Sequence, residues 1–250
     1  DTFVFDAGLT ESTTGTVTLA GSIDSTNDDI TFGAITLATA TTIDTNASDT
    51  TGDIIIGAVT GANNSLTLDT TTSTGSADIT FNGDINLGTG ALTVTGDVVL
   101  GANVSVTATP GSGIGIRFND AINADSASSN DRTLTLNAGT AATIFALGSN
   151  VGASEALAGL TITQSNGATF SGSVDVSDSN SGTITLTDTT DGADITFSGA
   201  VTADTFTTAA QGYDIFLNGD ATFANAVTFQ NTGTLLLGDA TSDTFTFNGG

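Results

Sequence analysis

The chain contains no cysteine, histidine, methionine, tryptophan or lysine, one proline (Pro110), one tyrosine (Tyr213) and two basic residues, Arg117 and Arg132. Each absence removes a class of protein. Without Cys there is no disulfide framework, and without Cys or His there is no thiolate or imidazole zinc site. The same absences exclude Ser–His–Asp triads and thiol nucleophiles. Without Lys, Schiff-base and Walker-type phosphate chemistry is excluded. A formal charge of −25 repels phosphate, which excludes nucleic acid as a partner and disfavours anionic membrane surfaces. No apolar run approaches the ~18 residues of a spanning helix, so no membrane insertion is expected in this segment. The sequence opens at Asp1 without a basic, apolar leader, which suggests a processed protein or a piece of a longer one.

What is present is Thr, Gly, Asp, Ala and aliphatic residues, with 38% of the chain hydrophobic. Disordered chains are poor in the β-branched residues that abound here. Thr, Ile and Val favour strands, and straight-chain helix formers are scarce.

A short motif recurs: Asp, then alternating apolar and polar residues, a small residue or Gly, then another apolar residue. It reads DITFGAI from Asp29, DIIIGAV from Asp53, DITFNGDI from Asp78 and DVVLGANV from Asp97. Further copies read GIRFNDAI from Gly115, TLTLNAGT from Thr133, DITFSGAV from Asp194 and DIFLNGDA from Asp214. One unit therefore recurs every 18–25 residues, the length of one coil of a solenoid. Alternation places Ile30 and Phe32 on one face and Thr31 on the other. A Gly at the corner supplies φ > 0.

The expected fold is all-β: a parallel β-solenoid of about ten coils, roughly 50 Å long at the inter-strand spacing. The alternative is an antiparallel β-sandwich, because Asn-Gly at 82–83, 166–167, 218–219 and 248–249 is a hairpin signal. Residues 1–250 read as one repeat domain, interrupted at 139–159 by an Ala/Leu-rich stretch expected to be a loop or short helix. The segments DTFVFDAG (1–8) and DTFTFNGG (243–250) match, which suggests a segment of a tandem or head-to-tail array.

The runs SADITFNGDINLGTGALTVTGDVVLGANVSVTA (76–108) and GADITFSGAVTADTF (192–206) resemble the strand repeats of filamentous-haemagglutinin-type exoproteins and autotransporter passengers. The resemblance implies a right-handed parallel β-helix, secretion to the cell surface, and adhesive or fibre-forming roles. No functional residue of that family maps to a position in this chain.

Chemistry has few candidates. Paired carboxylates, as at Asp28–Asp29 or Asp191/Asp194, serve glycoside hydrolysis. Solvated turn carboxylates are the better reading, the Phe pattern reads as core, and no enzyme is expected. Calcium takes Asp, Asn and carbonyl oxygens. Its candidate ligands are Asp24/Asn27/Asp28/Asp29, Asp44/Asn46/Asp49/Asp53, Asp175/Asp178/Asn180 and Asp188/Asp191/Asp194. If Asp29, Asp53 and Asp78 stack, like charges ~5 Å apart cost on the order of 1 kcal/mol per pair even in water, and cations would relieve this. No other cofactor is expected. Thr-x-Thr pairs at 16/18, 133/135, 161/163, 183/185 and 244/246 resemble the outward ladders of ice-binding solenoids, although their spacing along the chain is uneven. The sequence thus points to an extracellular or cell-surface fibre whose partners are other copies of itself. An adhesin stalk is the alternative and an ice-binding solenoid a minor one.

Overall fold

The computed structural model describes residues 1–12, 15–26, 28–46, 52–71, 77–126, 132–146, 150–178 and 181–249. Asn27, Asp49 and Asn180 lie outside the described residues.

Short strands with alternating burial follow one another around a three-sided coil. In Ile30–Phe32, Ile30 and Phe32 are buried and Thr31 faces out. The next strand, Ile35–Leu37, repeats the pattern on the next side. Each corner bends the chain without reversing it, so the same side is revisited one turn later. The result is a parallel β-solenoid of about nine turns with every sheet parallel. The sandwich alternative is thereby excluded, and Asn-Gly marks corners, not hairpins.

Among the described residues, sheet A has eleven strands, from Thr2–Phe5 to Leu235–Leu237. Sheet C has nine among these residues, from Val17–Leu19 to Thr205–Thr208. Sheet B runs in blocks of six and four strands, joined where Val151 bridges both Ile122 and Val174. Like residues stack inside. Ile30, Ile54, Ile79, Val98 and Ile122 are successive register partners in sheet B, and all are essentially inaccessible to water. Burying each such side chain contributes roughly 1.5–3 kcal/mol. Toward the carboxy-terminal end the core shared by the three sheets becomes aromatic. Phe170 stacks on Phe197 at 5.1 Å, and Phe206, Phe223 and Phe247 continue it.

Register revises the sequence repeat. The Asp29, Asp53, Asp78 and Asp97 units do share one side, sheet B. The units at Gly115 and Thr133 do not: Ile114–Phe118 lies in sheet A and Thr133–Asn137 in sheet C. All three sides use the same alternating motif, so similar strands on different sides read as one series. Successive inward partners along sheet A, from Ile43 through Leu68, Val94, Phe118, Ala146, Phe170, Phe197 and Leu217 to Leu237, are 20 to 28 residues apart.

The matching ends behave likewise. Asp1-Thr2-Phe3 leads into a sheet A strand and Asp243-Thr244-Phe245 into a sheet B strand. A third copy, Asp204-Thr205-Phe206, leads into sheet C. The motif shared by the two ends thus serves strands on all three sides.

The 139–159 stretch holds no helix among its described residues. It contributes the sheet A strand Thr143–Ala146 and the Val151 bridge, and it buries Ala142, Val151 and Leu157 in the common core. Residues 152–158, an irregular segment, follow the coil path between sheets B and C.

Some corner glycines, such as Gly96 and Gly167, do supply positive φ, and others are needed for space. A Cβ at Gly57 would sit 2.7 Å from the Gly33 carbonyl oxygen one coil away, and one at Gly219 would sit 2.8 Å from the Gly199 carbonyl carbon. Neither residue has φ in the left-handed region.

Candidate functional site

The acidic residues concentrate where sheet A turns into sheet B. Asp24 and Asp44 are register partners, and so are Asp44 and Asp69, giving a column at the outer margin of sheet A. A few residues on, Asp29, Asp53, Asp78 and Asp97 form a second column along the start of sheet B. Two of the four candidate clusters thus occupy one corner on successive coils.

Their hydrogen bonds explain much of the Asp content. The backbone N–H of Asp53 donates to the Asp29 carboxylate at 2.9 Å, and that of Asp78 to the Asp53 carboxylate at 2.9 Å. The Ala121 N–H reaches the Asp97 carboxylate at 3.0 Å. Other corners repeat the device: Ser105 N–H to Asp84, Thr133 N–H to Asn103, Ser173 N–H to Asn150 and Thr244 N–H to Asp220. An Asp or Asn just before a strand accepts an N–H from the following coil, satisfying a donor at a corner where the ladder is broken. The sequence shows these residues at the right positions, but their acceptor role depends on the coil-to-coil register.

Crowding leaves an electrostatic mark. Burial raises the Asp78 carboxyl above its ordinary range, with the charges of Asp53 and Asp97 adding to the effect. Asp44 is also raised, chiefly by burial; the Asn46 N–H, 2.8 Å from its carboxylate, opposes this, and the charges of Asp69 and Asp24 reinforce it. Desolvation and like charge both disfavour the ionised form.

The remaining candidates are more dispersed. Asp28 accepts the Ser25 hydroxyl through its carbonyl. Asp175 accepts the Ser177 hydroxyl, and Asp178 lies at the following corner. Asp188 accepts from the Gln164 amide at 3.0 Å, Asp191 from the Gly212 N–H at 3.0 Å, and Asp194 pairs in register with Asp214. Among the described residues, no group of three carboxylates is arranged to hold a metal ion. A shallow acidic hollow on sheet B, about 440 Å³, is lined by Asp78, Asp97, Asp125 and Glu155 among others; Asp125 is paired with Arg132 at 2.6 Å.

Of the unevenly spaced Thr pairs, 133/135, 161/163 and 183/185 lie on sheet C and share register there through one or both members, whereas 16/18 stands in a different column of that sheet and 244/246 lies in sheet B. Thr135, Thr161, Thr185, Thr207 and Thr228 form one outward column. Thr133, Gly159, Thr183 and Thr205 form its neighbour. Their spacing along the chain is uneven because corner lengths differ from coil to coil.

Not every Phe is core. Alternation in Thr143–Ala146 turns Ile144 and Ala146 inward and Phe145 outward, and alternation in Asp214–Leu217 turns Phe216 outward. Both were legible in the sequence as aromatics out of phase with Ile, Leu and Ala.

Sheet A ends in unsatisfied strands on both sides. Among the described residues, the large hydrophobics left exposed are Phe3 and Val4 on its first strand and Leu235, Leu236 and Leu237 on its last. Val227, Phe229, Leu237 and Phe247 line an apolar hollow at the second end. No helix among the described residues is long and apolar enough to cross a membrane. Comparison with known proteins finds no family model, no curated protein and no solved structure that matches the chain.

Proposed function

We propose that the chain is a rod segment of an extracellular or cell-surface structural protein, of the exoprotein or autotransporter-passenger type, without enzymatic activity. The observation that carries this is the pair of edges of sheet A. Each presents an apolar strand with unpaired backbone groups, a template for another parallel strand. The next coil along the axis, from the same polypeptide or from a second copy, continues the ladder and covers these residues. Electron microscopy combined with light scattering tests it. Rods that lengthen in multiples of one segment as concentration rises support the reading. Compact particles of fixed size that do not grow oppose it.

Calcium or other divalent cations belong to the same proposal as counter-ions for the acidic corner, where Asp44 and Asp78 already resist ionisation. The ordered Thr columns of sheet C favour ice binding as a second reading. Thermal hysteresis in dilute solution would support it, and freezing indistinguishable from that of a globular control would remove it.

A further inference from the structure

One part of sheet A is shaped unlike the rest. Its central outward column runs Arg117, Phe145, Thr169, Thr196, Phe216, each the register partner of the next. Two small residues therefore lie between two outward aromatics. At one inter-strand spacing per step, Phe145 and Phe216 stand about 14 Å apart. The notch beside Phe145 opens into a cavity of about 430 Å³, lined by Thr143, Phe145, Asn166, Thr169, Asp191 and Asp194 among others.

Its surroundings are built rather than incidental. The Arg117 guanidinium lies over the Phe145 ring, 5.3 Å from its centre, and fixes one aromatic face. Among the described residues Arg117 makes no ion pair, in a chain with 27 acidic residues. At the margin, the Asn166 amide and the Asp194 carboxylate have no hydrogen-bond partner among the described residues, whereas Asp191 is held by the Gly212 N–H.

We propose that this trough binds a neutral glycan, with Phe145 as the stacking wall and Asn166, Asp191 and Asp194 as hydroxyl-binding groups. Three features select that class. An apolar wall beside a few fixed polar groups is the usual composition of a small-molecule site, and an aromatic ring packs against the C–H face of a sugar. The lining carries carboxylates and no cation, which rejects anionic ligands. The floor is the face of an interior run of strands, whose backbone groups are paired along the ladder, so an added peptide strand has nothing to bond to. The rigid sheet preforms the site, which lowers the ordering cost of binding. This inference goes beyond the rod reading and does not rest on it.

Isothermal titration with the trisaccharides of glucose, mannose and N-acetylglucosamine, and with trigalacturonate as the anionic contrast, tests it on the full chain. At least one neutral trimer is expected to bind and trigalacturonate is not. Phe145→Ala and the trough-filling Thr169→Trp should each weaken binding about tenfold or more. Thr42→Ala, in the same column but far from the trough, should leave it unchanged. Melting curves report whether each variant is folded. The proposal is overturned if no neutral trimer binds more tightly than about 10 mM, if trigalacturonate binds as well, or if Phe145→Ala and Thr169→Trp, both folded, bind like the parent.

Discussion

Asp53 and Asp78 are joined head to side: the Asp78 backbone N–H donates to the Asp53 carboxylate at 2.9 Å, 25 residues earlier in the chain and one coil away. Asp53 uses its own N–H in the same way on Asp29. The bond stitches coil to coil at a corner, and it holds like charges close together. These two consequences separate in the choice of substitution. Asp53→Ala leaves the Asp78 N–H without its acceptor and should lower stability by about 0.5–1.5 kcal/mol in urea unfolding. Asp53→Asn keeps an acceptor oxygen and removes a charge, so it should be neutral or stabilising.

Asp78→Asn should raise Tm, because it relieves repulsion with Asp53 and Asp97 at a side chain that accepts no hydrogen bond among the described residues. The pH dependence follows from the direction of the shifts. Asp78 and Asp44 have folded-state pKa values above those of the unfolded chain. The native state therefore binds their protons more readily, and their contribution is complete below the unfolded value and lost as pH rises through the folded one. Stability should accordingly increase as pH falls from neutral into the carboxylate range, and Asp78→Asn should flatten that slope. A slope of the opposite sign, unchanged in the variant, would contradict the assignment.

Divalent cations should act on the same corner. Millimolar calcium is expected to raise Tm relative to chelator, by more than an equal ionic strength of sodium chloride. An identical melt in calcium and chelator would remove the cation proposal and leave the stacked carboxylates as found.

Gly57→Ala places a Cβ against the Gly33 carbonyl oxygen, 2.7 Å away. Backbone cannot rotate aside as a side chain can, so the two coils must part locally. A loss of about 1–3 kcal/mol is expected, and thermal unfolding measures it. The same change at Gly111, where nothing lies within 4 Å, should be nearly silent.

Tyr213 is fully buried; its hydroxyl donates to the Leu186 carbonyl at 3.1 Å and accepts the Ala209 N–H at 3.0 Å. Burial raises its pKa, partly offset by the Ala209 contact. Tyr213→Phe keeps the ring and strips both partners, and should cost about 1–3 kcal/mol.

The sequence carried the winding and not the assignment of sides. Alternation in DITF-type segments and the Gly corners sufficed to read parallel coils, because inward and outward residues differ sharply in kind: Ile30 and Phe32 against Thr31. The units at Gly115 and Thr133 read as members of one series although they lie on different sides, because a strand motif records burial and not which side of the coil it occupies. Asp29, Asp53 and Asp78 do stack, the condition under which the sequence foresaw crowded charge, but their hydrogen bonds span coils of differing length and appear only once register is known. Phe145 and Phe216 were grouped with the core on residue type, although the phase of their neighbours already turned them outward.

Distance along the molecule counts coils. The chain has no cysteine, so paired labels can be placed without background. Thr42, Thr169 and Thr196 occupy one outward column of sheet A, with Thr169 five steps and Thr196 six steps from Thr42, and Thr2 lies two steps beyond Thr42 at the other end. Spin-label distances for Thr42/Thr169, Thr42/Thr196 and Thr2/Thr196 should centre near about 24, 29 and 38 Å, one inter-strand spacing per coil. Distances that fail to grow in that order, or that cluster at one short value, would contradict the stacked solenoid.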